Sequence, residues 1–166
     1  MFRSERLQPT VHQLIGFDCG IATLNHWLLH ASAQEAAKRV ANTFVWVPSD
    51  STEVVAHYAL RGHVLARDSA PSRIGRGVSD PIPAALMAKF ALSNKLHGQG
   101  FGGQLLRDAL ERVVRSSLSG LAVRVIIVDD VAASFYRRYG FHDAPTVPNR
   151  LLLRFDEAAK ALGLTD

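Results

Sequence analysis

Two spacings of hydrophobic residues alternate along this chain, and the change from one to the other marks its helices and strands. Leu24, Trp27 and Leu28 recur at helical spacing, and Asp18 stands just ahead as a candidate N-cap. Residues 43–47 are β-branched or aromatic and end at a proline, which is typical of a strand. The pattern predicts helices over 21–29 and 31–40, strands over 43–47 and 53–65, a loop over 66–84, a strand over 85–92, a helix over 101–118, a strand over 121–128, a helix over 129–139, a strand over 151–155 and a short terminal helix.

The helix over residues 101–118 has the clearest amphipathic pattern. Its predicted buried face consists of Leu105, Leu106, Ala109, Leu110, Val113 and Val114. Gly120 and Gly140 stand where this helix and the helix over 129–139 should end. Since strands and helices alternate in the second half, we expect a single α/β domain over residues 1–166 with a mixed central sheet.

Composition excludes several classes of protein. The chain has 166 residues, of which 48% are hydrophobic and 20% charged, as in ordinary globular domains and unlike disordered or collagen-like chains. One cysteine, Cys19, cannot form an internal disulfide, so no oxidising compartment is indicated. Neither a bilayer-spanning run nor a signal peptide is recognisable, and we expect a cytoplasmic protein with no membrane association.

The net charge of +4 is concentrated in one stretch. Residues 61–100 hold six cations and two anions, whereas the rest of the chain is balanced. A phosphate-bearing partner would favour such a stretch, although an arginine-rich solvated surface explains it equally well. The six cations are Arg61, Arg67, Arg73, Arg76, Lys89 and Lys95.

A glycine-rich loop over residues 97–103 lies between a predicted strand and a predicted helix. Unpaired backbone N–H groups at such a helix start suit an anion, above all a pyrophosphate. The residues also satisfy G-x-G-x-x-G, the dinucleotide fingerprint, but five residues separate the strand from the first glycine, whereas that fingerprint turns at once. We interpret the loop as a phosphate cradle, the alternative being a helix start that binds nothing.

The residues around this loop resemble the acetyl-coenzyme A motif of the GNAT acetyltransferases. Ala88–Ser93 followed by His97–Gly102 is similar to that family's strand and its [QR]-x-x-G-x-[GA] signature, with a histidine where glutamine is commonest. A second GNAT signature, A-x-x-F-Y-x-x-x-G-F, is matched by Ala132–Phe141, with Asp129 in place of the asparagine that often opens this helix.

A narrower resemblance is found near the N-terminus. Phe17–Leu28 is similar to the F-D-C-G-x-x-x-L-N-x-W-L opening of GNAT toxins from type II toxin–antitoxin pairs. This resemblance implies acetylation of the amino group of aminoacyl-tRNA, a block of translation, a ribbon-helix-helix antitoxin as partner, and a homodimer.

The GNAT resemblance also implies a splayed central sheet and roles for particular residues. Tyr136 would be the general acid that reprotonates the thiolate, because a phenol is protonated at neutral pH, and Tyr139 is its natural control. A backbone N–H near Leu92 would stabilise the oxyanion. Acetyl-coenzyme A would contact Phe90, Ala91, Leu92, His97, Gly98, Gln99, Gly100, Phe101, Gly102, Gly103, Asp129 and Phe135. From the basic stretch described above, the RNA would contact Arg61, Arg67, Arg73, Arg76 and Lys89.

The predicted strand over Ala85–Leu92 contains no carboxylate to serve as a base for a lysine acceptor. An α-amino group is already partly neutral at pH 7, so an α-amine acceptor is favoured. The alternatives are transfer to a small-molecule or protein amine, and a binding module without catalysis. His26 and His30, with Cys19 upstream, lack a fourth zinc ligand, and we predict no metal.

Overall fold

The computed structural model describes residues 1–165, and within them it contains seven strands and six α-helices. The strands are β1 (Phe2–Arg6), β2 (Asn42–Pro48), β3 (Ala56–Leu65), β4 (Ile82–Leu92), β5 (Val125–Asp129), β6 (His142–Asp143) and β7 (Arg150–Arg154). The helices are α1 (Ala22–His30), α2 (Ser32–Ala37), α3 (Ser72–Gly75), α4 (Phe101–Ser119), α5 (Ala133–Arg137) and α6 (Phe155–Leu162). Short 3-10 turns cover Arg67–Ser69 and Asn94–Leu96.

The strands of the described residues form one mixed sheet in the order β1-β2-β3-β4-β5-β7-β6. β4 and β5 run parallel, whereas β5 and β7 run antiparallel. The parallel register extends from Ala84↔Val125 to Met87↔Val128, although β4 continues to Leu92. The prediction of an α/β fold with a mixed central sheet is confirmed, and the early end of the register is what a splayed strand pair predicts.

By internal contacts the chain divides into two compact units, the first consisting of Met1–Arg61 and Ala88–Ala109. In this unit β1 pairs with β2 and β2 pairs with β3, both antiparallel. Alternation along β2 puts Val45 and Val47 on the same face, and both are fully buried in the core. The core comprises Trp27, Leu28, Ala41, Val45, Val47, Val54 and Ala59.

The second unit consists of Gly62–Met87 and Leu110–Asp166. Its central strand β5 is a continuous apolar run, as expected for a strand covered on both faces. β7 pairs with β5 along five residues, and the short β6 adds to the edge of β7. The core comprises Leu65, Ile74, Ile82, Ala84, Val125, Ile127 and Leu152.

Several predicted boundaries were wrong for local reasons. α2 ends at Ala37 rather than residue 40, and Arg39 takes a left-handed φ of 59° just beyond it. α5 begins only at Ala133, because the Asp130 carboxylate accepts the Ala132 N–H and keeps the preceding residues in a turn. The predicted loop over 66–84 holds the short helix α3 and the start of β4.

Asp18 does not cap α1, which corrects another prediction. The helix follows Ile21, which makes no capping hydrogen bond through its side chain. Gly20 turns the chain with a φ of 87° and so separates Asp18 from the helix start. β1 and β6 were not predicted, since β1 carries mostly polar residues and β6 has only two.

No helix within the described part of the chain combines the length and apolar character needed to cross a membrane. The expectation of a single domain over residues 1–166 stays a prediction.

Candidate functional site

The glycine loop, residues 97–103, joins β4 to α4 in the first unit. Gly98 and Gly100 have left-handed φ values of 74° and 82°, and beyond the adjacent residues no heavy atom lies within 4 Å of where a Cβ would stand on either. α4 begins at Phe101, and no acidic residue lies in its first turn. An exposed helix start with no competing carboxylate fits a bound phosphate, so these residues suit the pyrophosphate of acetyl-coenzyme A.

His97 anchors this loop through its side chain. Its Nε2 lies 2.7 Å from the carbonyl oxygen of Leu92 and donates to it. Gln99 donates from its amide nitrogen to the carbonyl of Lys95 at 3.0 Å. The loop is therefore tied back to the end of β4 by a contact that glycine spacing does not predict.

The motif Phe17–Leu28 supports the turn that precedes the glycine loop. The backbone N–H of Asn94 donates to the carbonyl of Asp18 at 2.9 Å, and the Asp18 carboxylate accepts the amide of Asn25 at 2.9 Å. A Cβ on Gly20 would stand 3.1 Å from Oδ1 of Asn94, a tight contact, and the left-handed φ of 87° also disfavours a side chain there. Hydrogen bonds from the Gly20 N–H, and then from Asn25, lower the pKa of Asp18 below its usual value. The motif thus has a local structural role next to the glycine loop.

Asp108 fixes α4 to the sheet of the first unit. Its Oδ2 accepts hydrogen bonds from Ser4 Oγ at 2.6 Å and from Tyr58 Oη at 2.8 Å. The indole N–H of Trp46 points to the same oxygen at 3.4 Å. Donors from β1, β2 and β3 therefore meet one carboxylate two turns into the helix that begins at the glycine loop.

Tyr136 lies on α5 in the second unit and is 1% exposed. Its hydroxyl donates to Oδ2 of Asp130 at 3.2 Å, while Oδ1 of Asp130 accepts the Ala132 N–H at 2.8 Å. Burial, and then the Asp130 charge, raise the pKa of Tyr136 well above its ordinary value. The phenol is therefore fully protonated at neutral pH, as a general acid must be. Sequence reasoning missed Asp130.

The other candidates of the second unit have different surroundings. Asp129, a predicted cofactor contact, forms a bidentate ion pair with Arg150 at 2.7 and 2.8 Å. Phe135 is half-buried and lies edge-on to Tyr136, with ring centroids 5.0 Å apart. Tyr139 is 44% exposed, which supports its use as a control for the buried tyrosine.

The predicted RNA contacts are divided between the two units. Arg73 and Arg76, with Ser72, line a shallow depression of about 410 Å³ in the second unit. Arg73 also pairs with Glu157 at 3.1 Å, whereas the guanidinium of Arg76 makes no hydrogen bond or ion pair within residues 1–165. Arg67, in the same unit, donates to the carbonyl of Val78. Arg61 and Lys89 belong to the first unit.

Lys89 and His57 meet in an aromatic cluster that sequence reasoning did not find. The Lys89 ammonium lies 5.5 Å from the ring centroid of Trp27, a cation–π distance. His57 on β3 is fully buried between Trp27 and Phe17, and neither of its ring nitrogens has a partner within the described residues. Burial, and then Lys89, lower the pKa of His57 to about 3. The half-buried Lys89 is thus a weaker RNA candidate than the exposed arginines.

His26 and His30 lie side by side on α1 with ring centroids 4.4 Å apart. No group of three or more metal-ligating side chains occurs within residues 1–165.

Comparison with models of protein families gives no match. A tRNA-acetylating toxin of Mycobacterium tuberculosis is 37% identical over 113 residues, which cover 66% of this chain and 68% of that protein. A probable toxin TacT of Sinorhizobium fredii is 26% identical over 161 residues, covering 90% and 88% of the two chains.

Solved structures of toxins share the fold. AtaT complexed with acetyl-methionyl-tRNAfMet has a TM-score of 0.87 at 22% identity, covering 99% of this chain and 98% of that one. A tyrosine-to-phenylalanine mutant of AtaT, bound to the C-terminus of the antitoxin AtaR and to acetyl-CoA, has a TM-score of 0.82 at 21% identity, covering 96% and 97%.

Proposed function

The chain belongs to the family of tRNA-acetylating toxins, acetyltransferases with the GNAT fold, and from that premise we propose that it moves an acetyl group from acetyl-coenzyme A to the α-amino group of aminoacyl-tRNA. The relative from Mycobacterium tuberculosis, which is 37% identical and is described as a tRNA-acetylating toxin, is the observation that carries this proposal. Acetylation removes the nucleophile that peptide-bond formation needs, so translation stops.

The first unit supplies the donor side of the reaction. The backbone of the glycine loop at Gly98 and Gly100 holds the pyrophosphate, since the space above both glycines is open. The end of β4, over Phe90, Ala91 and Leu92, offers backbone groups to the pantetheine arm. A backbone N–H near Leu92 is our candidate donor to the oxyanion, and the hydrogen bond from His97 to the Leu92 carbonyl helps to fix this end of β4.

The second unit supplies the acid. Tyr136 gives its proton to the sulfur as the carbon–sulfur bond breaks, and its protonated state at neutral pH supports that role. Asp129 and Phe135 remain candidate cofactor contacts. The Asp129 carboxylate would contact the cofactor while it stays paired with Arg150.

The acceptor and the partners follow from the same proposal. A substrate α-amine needs less help from a base than a lysine would, which agrees with the lack of a carboxylate in Ala85–Leu92. Exposed Arg73 and Arg76 are the candidate phosphate contacts, with Arg61, Arg67 and Lys89 as further ones. We also propose a ribbon-helix-helix antitoxin, a homodimer, and a cytoplasmic location, since aminoacyl-tRNA is found there.

The test measures acetyl transfer from labelled acetyl-coenzyme A to aminoacyl-tRNA, and in parallel to free amino acids, polyamines and lysine peptides. Transfer to aminoacyl-tRNA is expected, with Tyr136→Phe slower by roughly 10²–10⁴-fold, as for the loss of a general acid. Tyr139→Phe removes a hydroxyl one turn away and should retain most activity.

Transfer to the small or peptide amines alone would favour the alternative acetyltransferase. Binding of acetyl-coenzyme A without turnover on any acceptor would favour a non-catalytic module. Full activity of Tyr136→Phe on aminoacyl-tRNA would remove that residue from the mechanism while leaving the substrate assignment intact.

A further inference from the structure

The Asp130 carboxylate is held on both of its oxygens. Oδ1 accepts the Ala132 N–H at 2.8 Å, in the turn that leads into α5. Oδ2 accepts the hydroxyl proton of Tyr136 at 3.2 Å. Asp130 is half-buried and Tyr136 is 1% exposed, so the pair lies at the edge of the core with its phenol shielded from water.

This direction of the hydrogen bond restricts what Tyr136 can do alone. The phenolic proton points to a carboxylate, and a hydroxyl oxygen can take up one proton as it gives up another. If Tyr136 simply lost its proton to sulfur, a buried phenolate would stand beside a carboxylate. Two like charges at this distance repel strongly when they are poorly hydrated.

We propose that Asp130 stores, through the Tyr136 hydroxyl, the proton that the attacking amine loses, and that the same hydroxyl then returns this proton to the departing sulfur. This inference rests on the proposed acetyl transfer and on the role of Tyr136 in it. Asp130 acts through Tyr136 and does not touch the substrate, so it is a positioning and proton-storing residue.

The step balances without a phenolate. As the carbon–nitrogen bond forms, the nitrogen proton moves to the phenolic oxygen while the phenolic proton moves to Asp130. As the carbon–sulfur bond breaks, Asp130 returns a proton to the phenolic oxygen and the phenol protonates the thiolate. The net result is one proton moved from nitrogen to sulfur, with Tyr136 and Asp130 restored. The relay supplies the proton acceptor that β4 lacks.

Asp130→Asn is the decisive variant. The single carbonyl oxygen of an asparagine would stay on the Ala132 N–H, so its NH₂ group would face Tyr136 and offer no place for a proton. We expect kcat to fall by roughly 10²-fold, within the range for losing an acid–base group, with little change in the KM for acetyl-coenzyme A. Asp143→Asn is the matched control, because Asp143 is paired with Arg137 on the same helix and not with Tyr136; it should keep the parental kcat.

A double-mutant cycle separates this inference from the proposed function. Asp130→Asn combined with Tyr136→Phe should be no slower than Tyr136→Phe alone, because Asp130 exchanges protons with the substrate only through the Tyr136 hydroxyl. Independent, multiplicative losses would overturn the inference. A fully active Asp130→Asn beside an inactive Tyr136→Phe would also overturn it, and the proposed role of Tyr136 would stand. A fully active Tyr136→Phe would overturn both.

Chemical rescue keeps the test decisive if the asparagine variant folds poorly. Asp130→Ala leaves space for a small carboxylate, and added formate should restore its turnover in a saturable way, whereas Tyr136→Phe should not respond. Asp130→Ala that folds, binds acetyl-coenzyme A and stays unresponsive to formate would refute proton storage at this position.

Discussion

Acidification from about pH 7.5 to about pH 5 should destabilise this protein through His57 in particular. Its imidazole is fully buried, both ring nitrogens lack partners within the described residues, and burial lowers its pKa to about 3 from the ordinary value of 6.5. The charged and aromatic groups that face it are Lys89, Trp27 and Phe17. Because none of them accepts a hydrogen bond from an imidazolium, the folded state excludes the proton.

The magnitude follows from proton linkage. Since the folded pKa is depressed, the full stability is present above the unfolded pKa and is lost as the pH falls towards the folded value. At about pH 5 the pH is roughly 1.5 units below the pKa of the unfolded imidazole, which is therefore protonated, while the folded imidazole is still neutral. At about 1.4 kcal/mol per unit, His57 should lower the free energy of unfolding by about 2 kcal/mol.

Urea unfolding of the parent chain and of His57→Phe at the two pH values measures the contribution of His57 to the acid-induced loss of stability. A phenyl ring can keep the contacts with Trp27 and Phe17 but binds no proton, so the variant should lose about 2 kcal/mol less on acidification than the parent. His142→Gln, which removes an exposed imidazole, is the control and should behave as the parent does. Equal acid losses in the parent and in His57→Phe would refute the assignment.

Two further predictions concern the binding surfaces. Gly100→Asp puts a side chain and a negative charge where the backbone meets pyrophosphate, so calorimetry should show that acetyl-coenzyme A binding is lost. The circular dichroism spectrum should stay native, and the control Gly120→Asp, at an exposed glycine, should bind acetyl-coenzyme A normally. Changing both Arg73 and Arg76 to Glu should weaken transfer to aminoacyl-tRNA and flatten its salt dependence, with little change in acetyl-coenzyme A affinity. An unchanged salt slope would exclude this patch as the RNA surface. Arg107→Glu, on the exposed side of α4, is the charge control.

The parts of the fold that sequence reasoning predicted are those whose signal is local. The apolar face of α4 repeats over about three turns, and its residues Leu105 and Leu106 are fully buried as expected. The glycine loop was predicted because Gly98 and Gly100 directly precede a helix start, and both have the left-handed backbone that glycine favours.

The parts that it missed depend on contacts distant in sequence or on a single polar atom. β1 is mostly polar and becomes a strand because it pairs with the edge of β2. The residues of β1 alone do not predict this pairing. Asp130 fell within the predicted helix over 129–139, and its hydrogen bond to Tyr136 depends on that helix beginning only at Ala133. His57 lies in an apolar strand, where burial of an unpaired imidazole gives no signal in composition.

The attachment of α4 to the first strand has a consequence for the order in which the protein acquires its structure. Ser4 and Asp108 are 104 residues apart, and the ring of Phe2 contacts that of Phe101 with centroids 5.4 Å apart. β1 can pair with β2 soon after both leave the ribosome, but its partners on α4 emerge only when about two thirds of the chain is made. The glycine loop is therefore supported late in synthesis, so a nascent chain interrupted before α4 has a first strand but no donor site.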